Sequence, residues 1–309
     1  MAQNTVKLTR KKQYSPNVAR QIREKIIEAI LFLAAFSAVA TTIGILYILI
    51  SESTIFFSQV SLIDFFTDTR WTPLFQNPRY GIMPLLSGTL VTSGVALIVA
   101  IPLGTIAAIY LSEFATSQLR EIVKPALELL AAIPTVVYGY FALLYVTPWL
   151  QGFFPDLPGF NMLSAGLVMG LMIIPFISSI SEDAMRAVPV SLREGSYAMG
   201  ATKLQTALKV VFPAAISGIS SSYILGTSRA VGETMIVAIA AGLKPTLTLN
   251  PLEQGATITA YIAQVSLGDL PHGTLEYQTI FAAGLTLVVM TLILNIFGYY
   301  LAKKFRERY

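Results

Sequence analysis

Six long apolar stretches constrain this chain more than any other feature: roughly residues 26–50, 84–112, 125–150, 161–182, 216–242 and 277–301. About 20 apolar residues in a helix cross about 30 Å of hydrocarbon. Backbone polar groups in lipid must be satisfied within the segment, so such a chain folds as an all-α integral membrane protein. Composition agrees, with 54% of the 309 residues hydrophobic and 12% charged, against about 25% charged in soluble domains. Pro102, Pro134 and Pro175 fall inside the second, third and fourth stretches. Kinks are expected there, because neighbouring helices can satisfy the carbonyls that proline frees. The first apolar run is too long for a signal-peptide core and lacks a clear small-residue cleavage site, so it reads as a retained span.

The basic residues orient the bundle. With the N-terminus inside, the cytoplasmic side holds seven in the tail, Arg120 and Lys124 in 113–124, four in 183–215 and four at the C-terminal end, against Arg70, Arg79 and Lys244 outside. Both termini are therefore expected in the cytoplasm. The expected layout is a basic tail (1–25), one membrane domain (26–301) and a short basic tail (302–309). Of the external segments, 51–83 carries Phe56, Phe57, Phe65, Phe66 and Trp71, as an interfacial aromatic layer would. Residues 253–268 are helical in character but too short to span, and could lie on the surface or re-enter the membrane.

Several chemistries are excluded. No cysteine is present and His272 is the one histidine, so disulfides, thiol nucleophiles and multi-histidine metal sites are ruled out. No nucleophile–base constellation marks an enzyme, and no cofactor, metal or nucleic-acid partner is expected. The phosphate-cradle pattern G-x-x-x-x-G-K-[ST] is missing, so ATP is not bound by that route. His272 reads as a surface residue. Glu113, Glu121, Glu128, Glu182 and Asp183 fall near cytoplasmic span ends and read as solvated or capping.

The largest cytoplasmic loop, 183–215, reads as two short helices around a glycine corner. Val188-Pro189 breaks the preceding helix. Ser191 with Glu194 fits a capping box, Gly200 makes the corner, and Thr202 caps a second helix that ends before Pro213. The spacing of Glu194, Gly200, Val210, Phe212 and Pro213 resembles the EAA loop of ABC importer permeases, with Glu194-Gly195-Ser196 where that family often has Glu-Ala-Ala. The resemblance implies a coupling helix that docks on an ATP-binding subunit, with Glu194, Gly195, Gly200, Ala201 and Pro213 as its motif positions. An ordinary surface helix–turn–helix would share the same local pattern.

The stretches YGIMPLLSGTL (80–90), IPLGTIAAIYLSEF (101–114), ELLAAIPTVVYGYF (128–141), RAVPVSLREGSYAMGAT (186–202) and SRAVGETMIV (228–237) occur in this order. They resemble the PstC-type permease subunits of bacterial phosphate importers. That resemblance implies a six-span type I ABC importer permease in the bacterial inner membrane. It also implies a homologous PstA-type permease, two PstB-type ATP-binding subunits, a periplasmic PstS-type phosphate-binding protein, and phosphate as substrate. Permeases for molybdate, sulfate or phosphonate are the nearest alternative, and a self-sufficient secondary transporter is another.

Within the fifth apolar stretch lie Arg229 and Glu233, one helical turn apart in a continuous helix. An unpaired charge at mid-bilayer costs about 2.5–3.5 kcal/mol on insertion scales, so an Arg229–Glu233 ion pair is expected. Two readings stay open: a structural pair joining helices, or a translocation path lined by Arg229, Glu233, Ser228 and Thr234. A guanidinium forks onto tetrahedral oxyanions.

Overall fold

The computed structural model describes residues 18–268, 270–271 and 273–304. The basic residues of 1–17, His272, Arg306 and Arg308 lie outside the described residues. The chain divides into two units at Ile50/Ser51. The described part of the first is the beginning of α1 (Val18–Gln59), whose large apolar side chains, such as Phe32, Phe36 and Ile43, are exposed. A helix that is apolar all round belongs in a lipid-like surround.

The second unit carries the remaining helices: α2 (Leu62–Thr67), α3 (Met83–Ile109), α4 (Ser117–Ala132), α5 (Thr135–Phe141), α6 (Thr147–Gln151), α7 (Met162–Arg186), α8 (Val190–Ala198), α9 (Lys203–Thr206), α10 (Phe212–Ala214), α11 (Ile216–Val231), α12 (Met235–Ala240), α13 (Ile258–Ser266) and α14 (Leu275–Lys304). Among the described residues, α1, α3, α7 and α14 are long and apolar enough to cross a membrane. Two bent pairs bring the number to six. One joins α4 to the segment from α5 to α6 at 86°, and the other joins Lys203–Ala214 to α11 at 72°.

The prolines sort by environment. Pro102 and Pro175 stay inside α3 and α7. Pro134 instead stands between helices: it is the N-cap of α5 at the 86° bend, so the third apolar stretch is two helices meeting at a sharp corner. The fifth stretch is divided as well, because α11 stops at Val231 and α12 starts only at Met235.

At the centre, α3 packs against α7 through small residues. A Cβ on Gly170 would lie 2.8 Å from the Ala96 carbonyl oxygen, so only glycine lets the two backbones approach this closely. Met169, Met172, Ile173 and Ile177 fill the core around this contact. Hydroxyl pairs tie the other helices on: Thr105 to Tyr223 at 2.6 Å, Thr147 to Ser164 at 2.7 Å and Ser181 to Ser222 at 2.7 Å. In a dry bundle such bonds satisfy polar groups that would otherwise go unpaired.

The aromatic residues of 51–83 depart from the expected interfacial layer. Phe56, Phe65 and Trp71 are buried and pack edge-to-face, with ring centres 5.8 Å apart for Phe56–Phe65 and 5.0 Å for Trp71–Tyr261. Only Phe66 of this set is well exposed. The segment folds on itself through an antiparallel bridge between Trp71 and Tyr80, and large rings favour this geometry when they can leave solvent together. Residues 253–268 are also more internal than a surface helix, since Ile258, Ala260, Tyr261 and Val265 of α13 are buried and the Ile258 amide donates to Thr89 Oγ1 at 3.1 Å.

Candidate functional site: a helix break and a polar loop

Arg229 and Glu233 do not form the expected pair. Among the described residues no ion pair or hydrogen bond involves the Arg229 side chain, and its Nε is buried without a partner. The reason is the break at Gly232, which turns Glu233 away from the axis of α11. Glu233 Oε1 instead accepts from the amides of Met235 at 3.0 Å and Ile236 at 3.3 Å, closing the first turn of α12. The Glu233 carbonyl accepts from Thr259 Oγ1 at 2.6 Å, which fixes the break against α13.

Each charge therefore sits at the helix end it complements. Arg229 lies in the last turn of α11, where carbonyl dipoles point outward, and Glu233 lies at the amide end of α12. The anion spends its lone pairs on backbone donors. The cation has only a ring beside it, the Phe176 face of α7, 5.7 Å from the guanidinium carbon. Ser228 is tied to Asn295 Oδ1 of α14 at 2.7 Å. Thr234 Oγ1 lies 3.5 Å from the Gly232 carbonyl. The structure thus gathers the four expected residues at one break, and among the described residues the Arg229 Nε is left there without a hydrogen-bond partner.

The loop 183–215 is sharper than its sequence suggested. Its first helix, α8, starts at Pro189 with no side-chain cap, so Ser191 and Glu194 do not make a capping box. It ends in a Schellman motif: the Gly200 amide donates to the Tyr197 carbonyl at 2.9 Å and the Ala201 amide to Ser196 at 3.2 Å, with Gly200 at φ +82°. Thr202 and Gln205 then form the capping box of α9. Helical backbone continues past the expected stop, with Pro213 in the first turn of α10, where a missing amide costs nothing. Glu194, Gly195 and Gly200 are exposed with Met199, which is 89% exposed, whereas Pro213 is half-buried and further along the chain.

Sequence reasoning missed the charged groups beneath this loop. Glu182 is fully buried among Lys124 at 2.9 Å, Arg120 at 3.4 Å and Arg186 at 3.6 Å. Lys124 also reaches Asp183 at 2.6 Å. Glu113 is nearly buried and meets Arg193 of α8 at 2.9 Å. Neither glutamate is solvated. The i,i+4 spacing of Glu182 and Arg186 was readable, but the Glu113–Arg193 contact joins residues 80 positions apart and needs the fold. Among the described residues no three metal-ligating side chains gather.

Residues 100–307 match the family described as binding-protein-dependent transport system inner membrane component. The chain belongs to that family. The match takes in both the helix break and the 183–215 loop. The chain is 36% identical over 245 residues to the probable ABC transporter permease protein YqgH of Bacillus subtilis, covering 79% of each chain. It is 35% identical over 253 residues to the phosphate transport system permease protein PstC of Xylella fastidiosa, covering 75% of this chain and 76% of that one. Its fold is similar to that of a bacterial alginate ABC transporter, with a TM-score of 0.63 at 18% identity over 92% of this chain and 99% of that one. As a member of this permease family the chain is an inner-membrane transport component, and its polar sites are read in that light.

Proposed function

We propose that the chain is the PstC-type permease subunit of an ATP-driven phosphate importer, crossing the membrane six times with both termini cytoplasmic. It forms half of the translocation path beside a homologous PstA-type permease. Two PstB-type subunits hydrolyse ATP, and a periplasmic PstS-type protein delivers phosphate. The observation that carries this reading is Arg229: a guanidinium inside a helical bundle, at a break, with no protein anion among the described residues. Such a group is costly to keep unless a ligand uses it, and its planar fork suits a tetrahedral oxyanion. Glu233, engaged by amides, keeps the break open without neutralising the cation. Ser228 and Thr234 flank the path. The exposed α8 corner, with Glu194, Gly195, Gly200 and Ala201, is the surface offered to the ATPase, and Pro213 begins the bend that follows.

The test is phosphate uptake by proteoliposomes carrying the chain, its partner permease and the binding protein, with and without the ATPase. Uptake only with ATPase and ATP is expected, and uptake that ignores the ATPase would overturn the reading. Since the chain has no cysteine, an introduced one reports orientation cleanly. A cysteine at Gln76 should react with an impermeant reagent from outside and one at Lys203 should not.

A further inference from the structure

Three basic side chains from three different elements converge on the last turn of the helix that begins as α3. That turn, Tyr110–Phe114, is wound as a π-helix, and π-turns leave carbonyls turned out of the regular ladder. Arg120 of α4 donates to the Leu111 carbonyl at 2.9 and 2.6 Å and to the Ser112 carbonyl at 3.2 Å. Arg193 of α8 meets Glu113 at 2.9 Å and also donates to the carbonyls of Val188 at 2.6 Å and Met185 at 2.8 Å. Lys203 of α9 lies 5.3 Å from the centre of the Phe114 ring. Ser196 of α8 and Thr206 of α9 are themselves joined at 2.9 Å.

We propose that Glu113 and Arg193 form the joint that carries movement of the cytoplasmic loop into the membrane helices, with the 111–114 turn as the point where that movement enters α3. This rests on the coupling role given to the loop above. The argument is one of attachment. α8 has no fully buried residue, and its apolar contact with the bundle is half-buried Leu192, which packs beside Met185 and Val188. Its polar hold is Arg193, whose side chain is 15% exposed against 5% for Glu113. A partly buried, multiply bonded guanidinium resists displacement far better than an exposed ion pair. From Glu113 the path continues without a gap, because Arg120 grips the preceding carbonyls and also stands 3.4 Å from buried Glu182 of α7. A push on α8 thus reaches α3, α4 and α7 through charge-assisted contacts. Glu113 and Arg193 are positioning residues and touch neither ATP nor phosphate.

The test uses the full importer in proteoliposomes and reads phosphate imported per ATP hydrolysed. Uptake by the unaltered complex tests the function assigned above, and the ratio between variants and that complex tests the joint. Glu113→Gln and Arg193→Gln should assemble and hydrolyse ATP, with the import-to-hydrolysis ratio falling about tenfold, the size of one lost charge-assisted hydrogen bond. Arg193→Lys should keep more of the ratio than Arg193→Gln, because the ammonium still meets Glu113 and can still donate to a carbonyl. An unchanged ratio in both Glu113→Gln and Arg193→Gln would overturn the proposal. So would loss of assembly in both, since that is the signature of a purely structural pin.

Discussion

The charged cluster beneath the 183–215 loop and the break between α11 and α12 both hold charged side chains at least half out of solvent, and they treat them in opposite ways. In the cluster each carboxylate faces cations: Glu182 has three, although its Oε1 accepts no hydrogen bond, and Glu113 has Arg193 with Ser112. At the break the anion is absorbed by amides and the cation is left with a ring face. Burying a pair costs desolvation that good geometry repays, whereas an unpaired buried charge is a standing cost. The proposal for Arg229 rests on this contrast: its Nε is buried without a partner while the carboxylates of the cluster face cations.

The contrast can be broken most severely at Glu182. Glu182→Ala takes the shared carboxylate from Arg120, Lys124 and Arg186, leaving Lys124 with Asp183 and Arg120 with backbone carbonyls, so the loss should approach the lower end of the about 3–5 kcal/mol that removing one partner of a buried pair costs. The variant should fail to accumulate in the membrane, as measured by immunoblot of membrane fractions; normal levels would show that the cluster is solvated. Next in size is Arg229→Gln. It strands nothing, so assembly should be normal by co-purification. Phosphate uptake should fall on the order of 100-fold, as expected from losing a forked charge-assisted contact of about 1.5–3 kcal/mol. Reduced assembly in this variant would mean that Arg229 is a structural residue like Arg120. The smallest effect belongs to the loop attached to the charged cluster. A Cβ at Gly200 meets open space, so the cost of Gly200→Val lies in its φ of +82° alone, about 1–2 kcal/mol. Insertion should be normal and binding to the ATPase weakened in a pull-down, with Gly200→Asn milder because asparagine tolerates this region. Equal binding by both variants and the unaltered chain would remove the corner from the docking surface.

The membrane class and the existence of six apolar segments were legible in the sequence because length and hydropathy fix them directly. Gly200 and Thr202 were legible because turn and cap chemistry is local. Where the readings failed, the missing information was non-local. Pro134 looks like Pro102 in sequence, yet it stands at an 86° bend while Pro102 stays inside α3. Glu233 looks like a partner for Arg229 only if the helix is continuous, and the break that separates them is marked by nothing stronger than Gly232 and a contact from Thr259. The aromatic residues of 51–83 read as an interfacial layer because composition cannot tell a ring facing lipid from one facing another ring. Glu113 and Arg193 meet across 80 positions, a distance that no periodicity spans.

The central claim is that Arg229 is held for a ligand and not for Glu233. The double variant Arg229→Gln, Glu233→Gln tests it most directly, read as ATP-dependent phosphate uptake by the assembled importer in proteoliposomes. Two neutral amides remove both charges together, so a structural pair would be relieved and uptake would recover. The open-cation account predicts an assembled complex with uptake as low as in Arg229→Gln alone. Uptake restored to the level of the unaltered protein would contradict it.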